Sequence, residues 1–167
     1  MARRPWRWLP AALLAAALAA GCDVQKIAEL EEGVSTEADV RARFGEPAAV
    51  YDEGAGARTL EYPRQPEGQR NYMITIGPDG KMIALRQVLQ PVNFAKVAPG
   101  MDGTQVRRLL GRPAQIQAYP LKQQEVWDWR WLDGAEARQF SVTFDAAGRV
   151  VTSGSTIDAR ENTVGGR

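Results

Sequence analysis

Chemistry in a protein needs groups that move protons, attack carbon or phosphorus, or hold metals, and this chain is short of them. Its 167 residues include no histidine and one cysteine, Cys22. That removes the commonest general base, the Ser–His and Cys–His nucleophile pairs, and the usual zinc ligand sets. Carboxylate-only chemistry of the glycosidase kind survives the elimination. The acidic residues, however, are scattered and mostly sit beside turns or helix starts. The doublet Glu31-Glu32 reads as a solvated helix end, because neighbouring helix positions point in different directions. Asp79-Gly80 and Asp133-Gly134 read as turns, not metal sites. Gly33 and Gly100 lack the further glycines of a phosphate loop, so no nucleotide or other cofactor is expected. No catalytic residue emerges, and the chain reads as a non-enzyme.

Cys22 itself has a context. It ends the apolar run Leu13-Leu14-Ala15-Ala16-Ala17-Leu18-Ala19-Ala20-Gly21, behind Arg3, Arg4 and Arg7. That is the layout of a bacterial secretory signal over residues 1–21. The small residues before the cysteine resemble the lipobox of bacterial lipoproteins, although Ala19 stands where Leu is usual and Leu18 lies one step early. The resemblance implies that Cys22 is acylated and becomes the first mature residue, facing the periplasm of a Gram-negative envelope. An ordinary signal with an incidental cysteine, or an uncleaved anchor, are the other readings; a spanning helix needs about 20 apolar residues. One acyl chain binds a membrane only marginally, but the two or three expected on such a cysteine anchor stably. An outer-membrane location is preferred, with Asp23 against it, since in some Gram-negative bacteria an aspartate there retains lipoproteins in the inner membrane.

Loss of residues 1–21 leaves 18 basic and 20 acidic side chains, so no strong field draws the mature chain to nucleic acid. A lone cysteine also permits no internal disulfide.

The elements show self-similarity. Gly33-Val-Ser-Thr-Glu-Ala-Asp-Val-Arg-Ala-Arg-Phe-Gly-Glu-Pro47 matches Gly100-Met-Asp-Gly-Thr-Gln-Val-Arg-Arg-Leu-Leu-Gly-Arg-Pro113 with one residue inserted in the first copy. Tyr72-x-Ile74-x-Ile76-x-x-x-Gly80 matches Phe140-x-Val142-x-Phe144-x-x-x-Gly148. In each copy a capped start (Ser35 or Thr36, with a Thr36–Asp39 capping box; Asp102) leads into a short helix with an apolar stripe, Val40 and Phe44 or Val106, Leu109 and Leu110. Gly45 and Gly111 supply a left-handed helix end, and Pro47 and Pro113 forbid continuation. Alternating segments then predict strands at about 47–52, 58–62, 71–76 and 82–89, and again at 114–119, 125–132, 138–144 and 149–156. A shorter helix is expected to open each copy, at about 24–32 and 93–98. The prediction is an α+β fold, two tandem copies of a helix pair packed on an antiparallel β-meander. The division is a signal at 1–21, a first, degenerate copy at 22–90, a second at 91–158 and a mobile tail at 159–167. A unit of about 65 residues is marginal alone, so the copies should pack into one body, joined at Pro91-Val92.

Gly-Met-x-x-x-x-Val-x-x-x-Leu-Gly-x-Pro at 100–113, with the Phe140-x-Val-x-Phe144-Asp-x-x-Gly148 hairpin, resembles the BamE (SmpA/OmlA) domain. Residues 97–157 look like a full copy and 30–89 like a degenerate one, with Val34 where Met101 stands. The resemblance implies a non-catalytic envelope lipoprotein that binds protein, in outer-membrane assembly or maintenance, with the β-barrel assembly machinery as partner. A tandem copy departs from that family's single-domain subunit. The arrangement is also similar to β-lactamase inhibitor proteins, which implies an alternative: a periplasmic inhibitor or regulator that grips an enzyme with its sheet face.

Trp127, Trp129 and Trp131 alternate along one strand, so all three share a side and are the candidate partner-binding residues. One reading is that the rings fill the space under Val106, Leu109 and Leu110. The other is that three rings exceed what a short helix can cover, leaving at least one at the sheet edge for a partner, with Trp131→Ala expected to weaken partner recovery more than stability. Asp128 and Arg130 take the opposite, water-facing side. Arg58, Leu60 and Tyr62 are the first-copy counterparts. Tyr51, Tyr62, Tyr72 and Tyr119 read as core or rim residues.

Overall fold

A computed structural model describes residues 27–162. The first half runs α1 (Glu37–Phe44), β1 (Ala49–Gly54), β2 (Ala57–Pro63), β3 (Asn71–Ile76) and β4 (Met82–Gln87). The second runs α2 (Pro91–Phe94), α3 (Gly103–Leu110), β5 (Gln115–Tyr119), β6 (Gln124–Asp133), β7 (Glu136–Phe144), β8 (Val150–Ile157) and a short α4 (Ala159–Asn162). The fold is α+β with two four-stranded antiparallel sheets, β1-β2-β3-β4 and β5-β6-β7-β8. Strands fall within a few residues of the alternating segments, because turn residues bound each run. Pro91, expected in a joint, instead opens α2, where its fixed φ suits a first helical position. The helix expected at 24–32 lies partly outside the described residues, and so do Cys22, Asp23 and residues 163–167. The expected tail begins as a helical turn, Ala159–Asn162.

Both long helices are set by the same backbone chemistry. In α1 the Asp39 N–H donates to Thr36 Oγ1 (3.2 Å) and the Thr36 N–H to the Asp39 carboxylate (2.8 Å). In α3 the Gln105 N–H donates to Asp102 Oδ1 and the Asp102 N–H to Gln105 Oε1, both at 2.9 Å. Each pair satisfies two amide donors that a helix start leaves without partners. At the far ends Gly45 (φ 82°, ψ −160°) and Gly111 (φ 74°, ψ −173°) are not in the left-handed helical region expected of them. They occupy the mirror-extended region, open essentially to glycine alone. Pro47 and Pro113 follow as expected, and Pro113 is buried.

The strands repeat further contacts. Tyr62 Oη donates to the Gly45 carbonyl (3.1 Å), and Trp129 Nε1 to that of Gly111 (2.9 Å). The Ala48 N–H donates to Glu61 O (2.8 Å), and the Ala114 N–H to Asp128 O (2.7 Å). Glu61 therefore matches Asp128, and Leu60, Tyr62 and Arg64 match Trp127, Trp129 and Trp131. The expected counterparts Arg58, Leu60 and Tyr62 are displaced by one alternation. At the helix entry the Met82 N–H donates to Ser35 O and the Val150 N–H to Met101 O (2.7 and 2.8 Å). Ser35, not Val34, thus stands for Met101, and Val34 is 60% exposed.

Two apolar cores follow. Val40 and Phe44 pack on Leu60, Tyr62, Tyr72, Ile74, Ile76 and Met82. Val106 and Leu110 pack on Trp129, Trp131, Phe140, Val142, Phe144 and Val150, joined by Leu89, Phe94 and Val97 from around α2.

Candidate functional site

One cluster of titratable groups lies between the halves. Glu61 in β2 is fully buried on the sheet face away from α1. Arg107 of α3 donates to it through Nε and Nη2 (3.2 and 3.3 Å), the Arg112 N–H at 2.8 Å and Tyr51 Oη at 2.5 Å. Asn71 Nδ2 meanwhile donates to the Leu110 and Arg112 carbonyls at the end of α3 (2.8 and 3.0 Å). Arg108 pairs with Glu53 (2.7 Å) and lies over the Tyr51 ring. Burial, helped by the bond to Glu61, pushes the Tyr51 phenol up to about 12. Burial alone would lower Arg107, but the hydrogen bond and charge of Glu61 hold it above its ordinary value. A Tyr–Glu–Arg set can move protons in principle. Here both carboxylate oxygens are taken and the residue is sealed, so the cluster clamps α3 to the first sheet.

A second seam lies nearby. Gln65 Nε2 donates to Arg130 O (2.7 Å) and the Arg130 N–H to Gln65 Oε1 (3.2 Å), so the carboxamide pairs with β6 as a neighbouring strand would. Asp128 and Arg130 do not face water as expected. Asp128 is 9% exposed and accepts from Ser141 Oγ (2.6 Å). The Arg130 side chain is 11% exposed and bonds Asp158 at 2.6 Å. Burial would raise Asp158, yet the bonds from Arg130 and the Arg160 N–H keep its carboxyl below the usual range.

The three tryptophans share one face but not one environment. Trp129 is fully buried and Trp131 is 4% exposed, covered by Phe94 at 4.9 Å between ring centres and bonded through Nε1 to Ser155 Oγ (3.1 Å). The expectation of Trp131 as surface anchor is thereby corrected: residues 89–97 supply cover that the helix stripe alone lacks. Trp127 is half-buried and keeps accessible surface. It walls a cavity of about 380 Å³ with Phe144, Gly103, Glu125 and Asp145. Its cross-strand neighbour Ile116 is 53% exposed, and Leu121, on the turn bordering the cavity, is wholly exposed. A larger groove, about 740 Å³, runs between the first sheet and α3 past Met73, Val88, Met101 and Leu109. Among the described residues no group of three or more Asp, Glu, Cys or His is placed to hold a metal, and no helix is long and apolar enough to cross a membrane.

No family model matches the chain, and no curated protein sequence matches it. Three solved structures resemble parts of it. One is described as an osmotically inducible lipoprotein, OsmE, at 23% identity and TM-score 0.38, over 46% of this chain and 82% of that one. A DUF4309 family protein from Bacillus subtilis matches at 16% and 0.31, over 78% and 83%. A structure described as a β-lactamase inhibitor protein from Streptococcus mutans matches at 9% and 0.32, over 80% and 94%. At such identities and TM-scores these likenesses assign neither a family nor a role.

Proposed function

We propose that the chain is a lipid-anchored envelope protein, two copies of one small unit, that docks a protein partner and performs no reaction of its own. Acylated Cys22 tethers it, and its setting is outer-membrane protein assembly or envelope maintenance. The reading rests first on the sequence: the lipobox-like run and the missing catalytic inventory. The hydrogen bonds that recur at Gly45 and Gly111, and at Ala48 and Ala114, support the two-copy part. The observation that carries the docking part is a contrast in surface. The buried acidic groups are committed to internal bonds, whereas Trp127 walls an open cavity, its cross-strand neighbour Ile116 is exposed, and Leu121 is fully exposed on the turn between β5 and β6. Aromatic and aliphatic groups of this kind anchor protein interfaces.

Membrane fractionation with crosslinking tests it. The wild-type chain should sediment with membranes and yield a crosslinked envelope protein, and Cys22→Ser should move to the soluble fraction. Recovery of a β-barrel assembly complex supports the setting. A soluble hydrolase in its place favours the inhibitor reading, and a Cys22→Ser protein that stays in the membrane removes the anchor.

A further inference from the structure

The positions that border the cavity beside Trp127 have counterparts in the first half, and there they form an ion pair. Matching Glu61 to Asp128 puts Arg58 where Glu125 stands, and the first helical position carries Glu37 in α1 and Gly103 in α3. In the first half Arg58 Nε donates to Glu37 Oε2 at 2.6 Å, with its Nη2 on the same oxygen, while Arg41 Nε holds Oε1 at 2.8 Å. A guanidinium thus pairs there with a carboxylate of its own chain.

In the second half both charges change. Gly103 brings no side chain, and a Cβ there would stand 2.8 Å from Trp127 Cη2. Glu125 brings a carboxylate where the arginine was, held to the indole by a 2.5 Å bond from Trp127 Nε1. The cavity lining contains two carboxylates, Glu125 and Asp145, and no lysine or arginine. The positive end of α3 is answered by its own capping residue, Asp102. Asp145 Oδ1 accepts from the Ala147 and Arg149 N–H groups of its own turn, while Glu125 is bonded to the neutral indole, so this carboxylate and its aromatic wall complement a cation. A guanidinium suits them best, being planar, weakly hydrated and able to stack on an indole.

We propose that this cavity receives an arginine side chain presented by a partner protein, stacked on Trp127 and bonded to Glu125. The proposal deepens the docking reading above and rests on it for the partner. The test uses the full-length chain, ¹⁵N-labelled in detergent micelles, with the Trp127 indole N–H assigned through Trp127→Phe. The probe is the peptide acetyl-Ala-Arg-Ala-amide; the control replaces arginine by citrulline, which has the same shape without the charge. The arginine peptide should shift the indole resonance saturably and the citrulline peptide should not. Glu125→Gln should weaken the response about tenfold, the loss of one hydrogen bond to a charged group. Equal response to both peptides, no saturable response to arginine, or an unchanged affinity in a folded Glu125→Gln would overturn it. The wild-type comparison decides even where the variant fails to fold. Because this reads the isolated chain, it can fail while a partner is still captured in the envelope.

Discussion

Glu61 and Asp128 hold the same place on two sheets of like build, and their surroundings differ. Across Glu61 lies α3, and its Arg107, the Arg112 N–H just past its end and Tyr51 saturate the carboxylate. The Asp128 carboxylate instead takes a serine hydroxyl as its side-chain partner. The same divergence appears above the helix starts, where Arg58 and Glu37 neutralise each other but Glu125 faces Gly103. The lesson is a division of labour. The first half ties its charged positions into ion pairs, whereas the second gives the equivalent positions neutral side-chain partners, Ser141 for Asp128 and the Trp127 indole for Glu125.

That comparison can be broken by mutation. The largest expected effect separates the two helix-ending glycines. Gly45→Ala forces a mirror-extended backbone on alanine with open space around its Cβ, at about 1–3 kcal/mol. Gly111→Ala adds a collision, since its Cβ would stand 2.9 Å from Asn71 Nδ2, the group that holds the end of α3. It should cost about 1–2 kcal/mol more, the worth of the Asn71 bonds. Urea unfolding of both variants reads the difference; equal losses would mean that the seam at Asn71 contributes nothing.

Next comes the clamp itself. Arg107→Met leaves Glu61 buried with a reduced set of donors, and breaking a buried pair costs about 3–5 kcal/mol. Arg107 is 37% exposed and Tyr51 and Arg112 still donate, so about 2 kcal/mol is expected. Asp128→Asn, which keeps its Ser141 contact, should cost well under half of that. Similar values for the two would erase the distinction between the halves.

The smallest effect is a titration. The Tyr51 phenol is pushed from 10.0 up to about 12, chiefly by burial. A folded value above the unfolded one means that this contribution to stability is complete below pH 10 and is lost as pH rises through about 12. Tyrosinate absorbance should show a late-titrating group that Tyr51→Phe removes, and that variant should lose less stability between these pH values.

Much of the fold was legible because it is written locally. Thr36–Asp39, Asp102, the glycine–proline exits and the alternating strands are each decided within a few residues, and they stand close to where periodicity puts them. Contacts between distant segments were not legible. Glu61 reads as one more strand residue until Arg107, 46 positions on, is brought to it. Trp131 reads as surplus to a short helix until Phe94 covers it. The strand match is displaced by two residues because a period-2 pattern looks the same after such a shift: it fixes the face of a strand but not its position along it. Of the candidate site, the sequence marked the tryptophan strand; the burial of two rings and the cavity at the third come from packing that no local pattern encodes.

Paired photo-crosslinking in the native envelope tests most directly whether the second half is the docking face. A photoreactive residue at Leu121, in the turn whose Pro120 and Gln123 line the Trp127 cavity, is compared with one at Ala55, in the matching turn of the first half. The account predicts a discrete protein adduct from Leu121 that Trp127→Ala abolishes in a folded chain, and none from Ala55. Equal adducts from both positions, or a Leu121 adduct indifferent to Trp127, would contradict it.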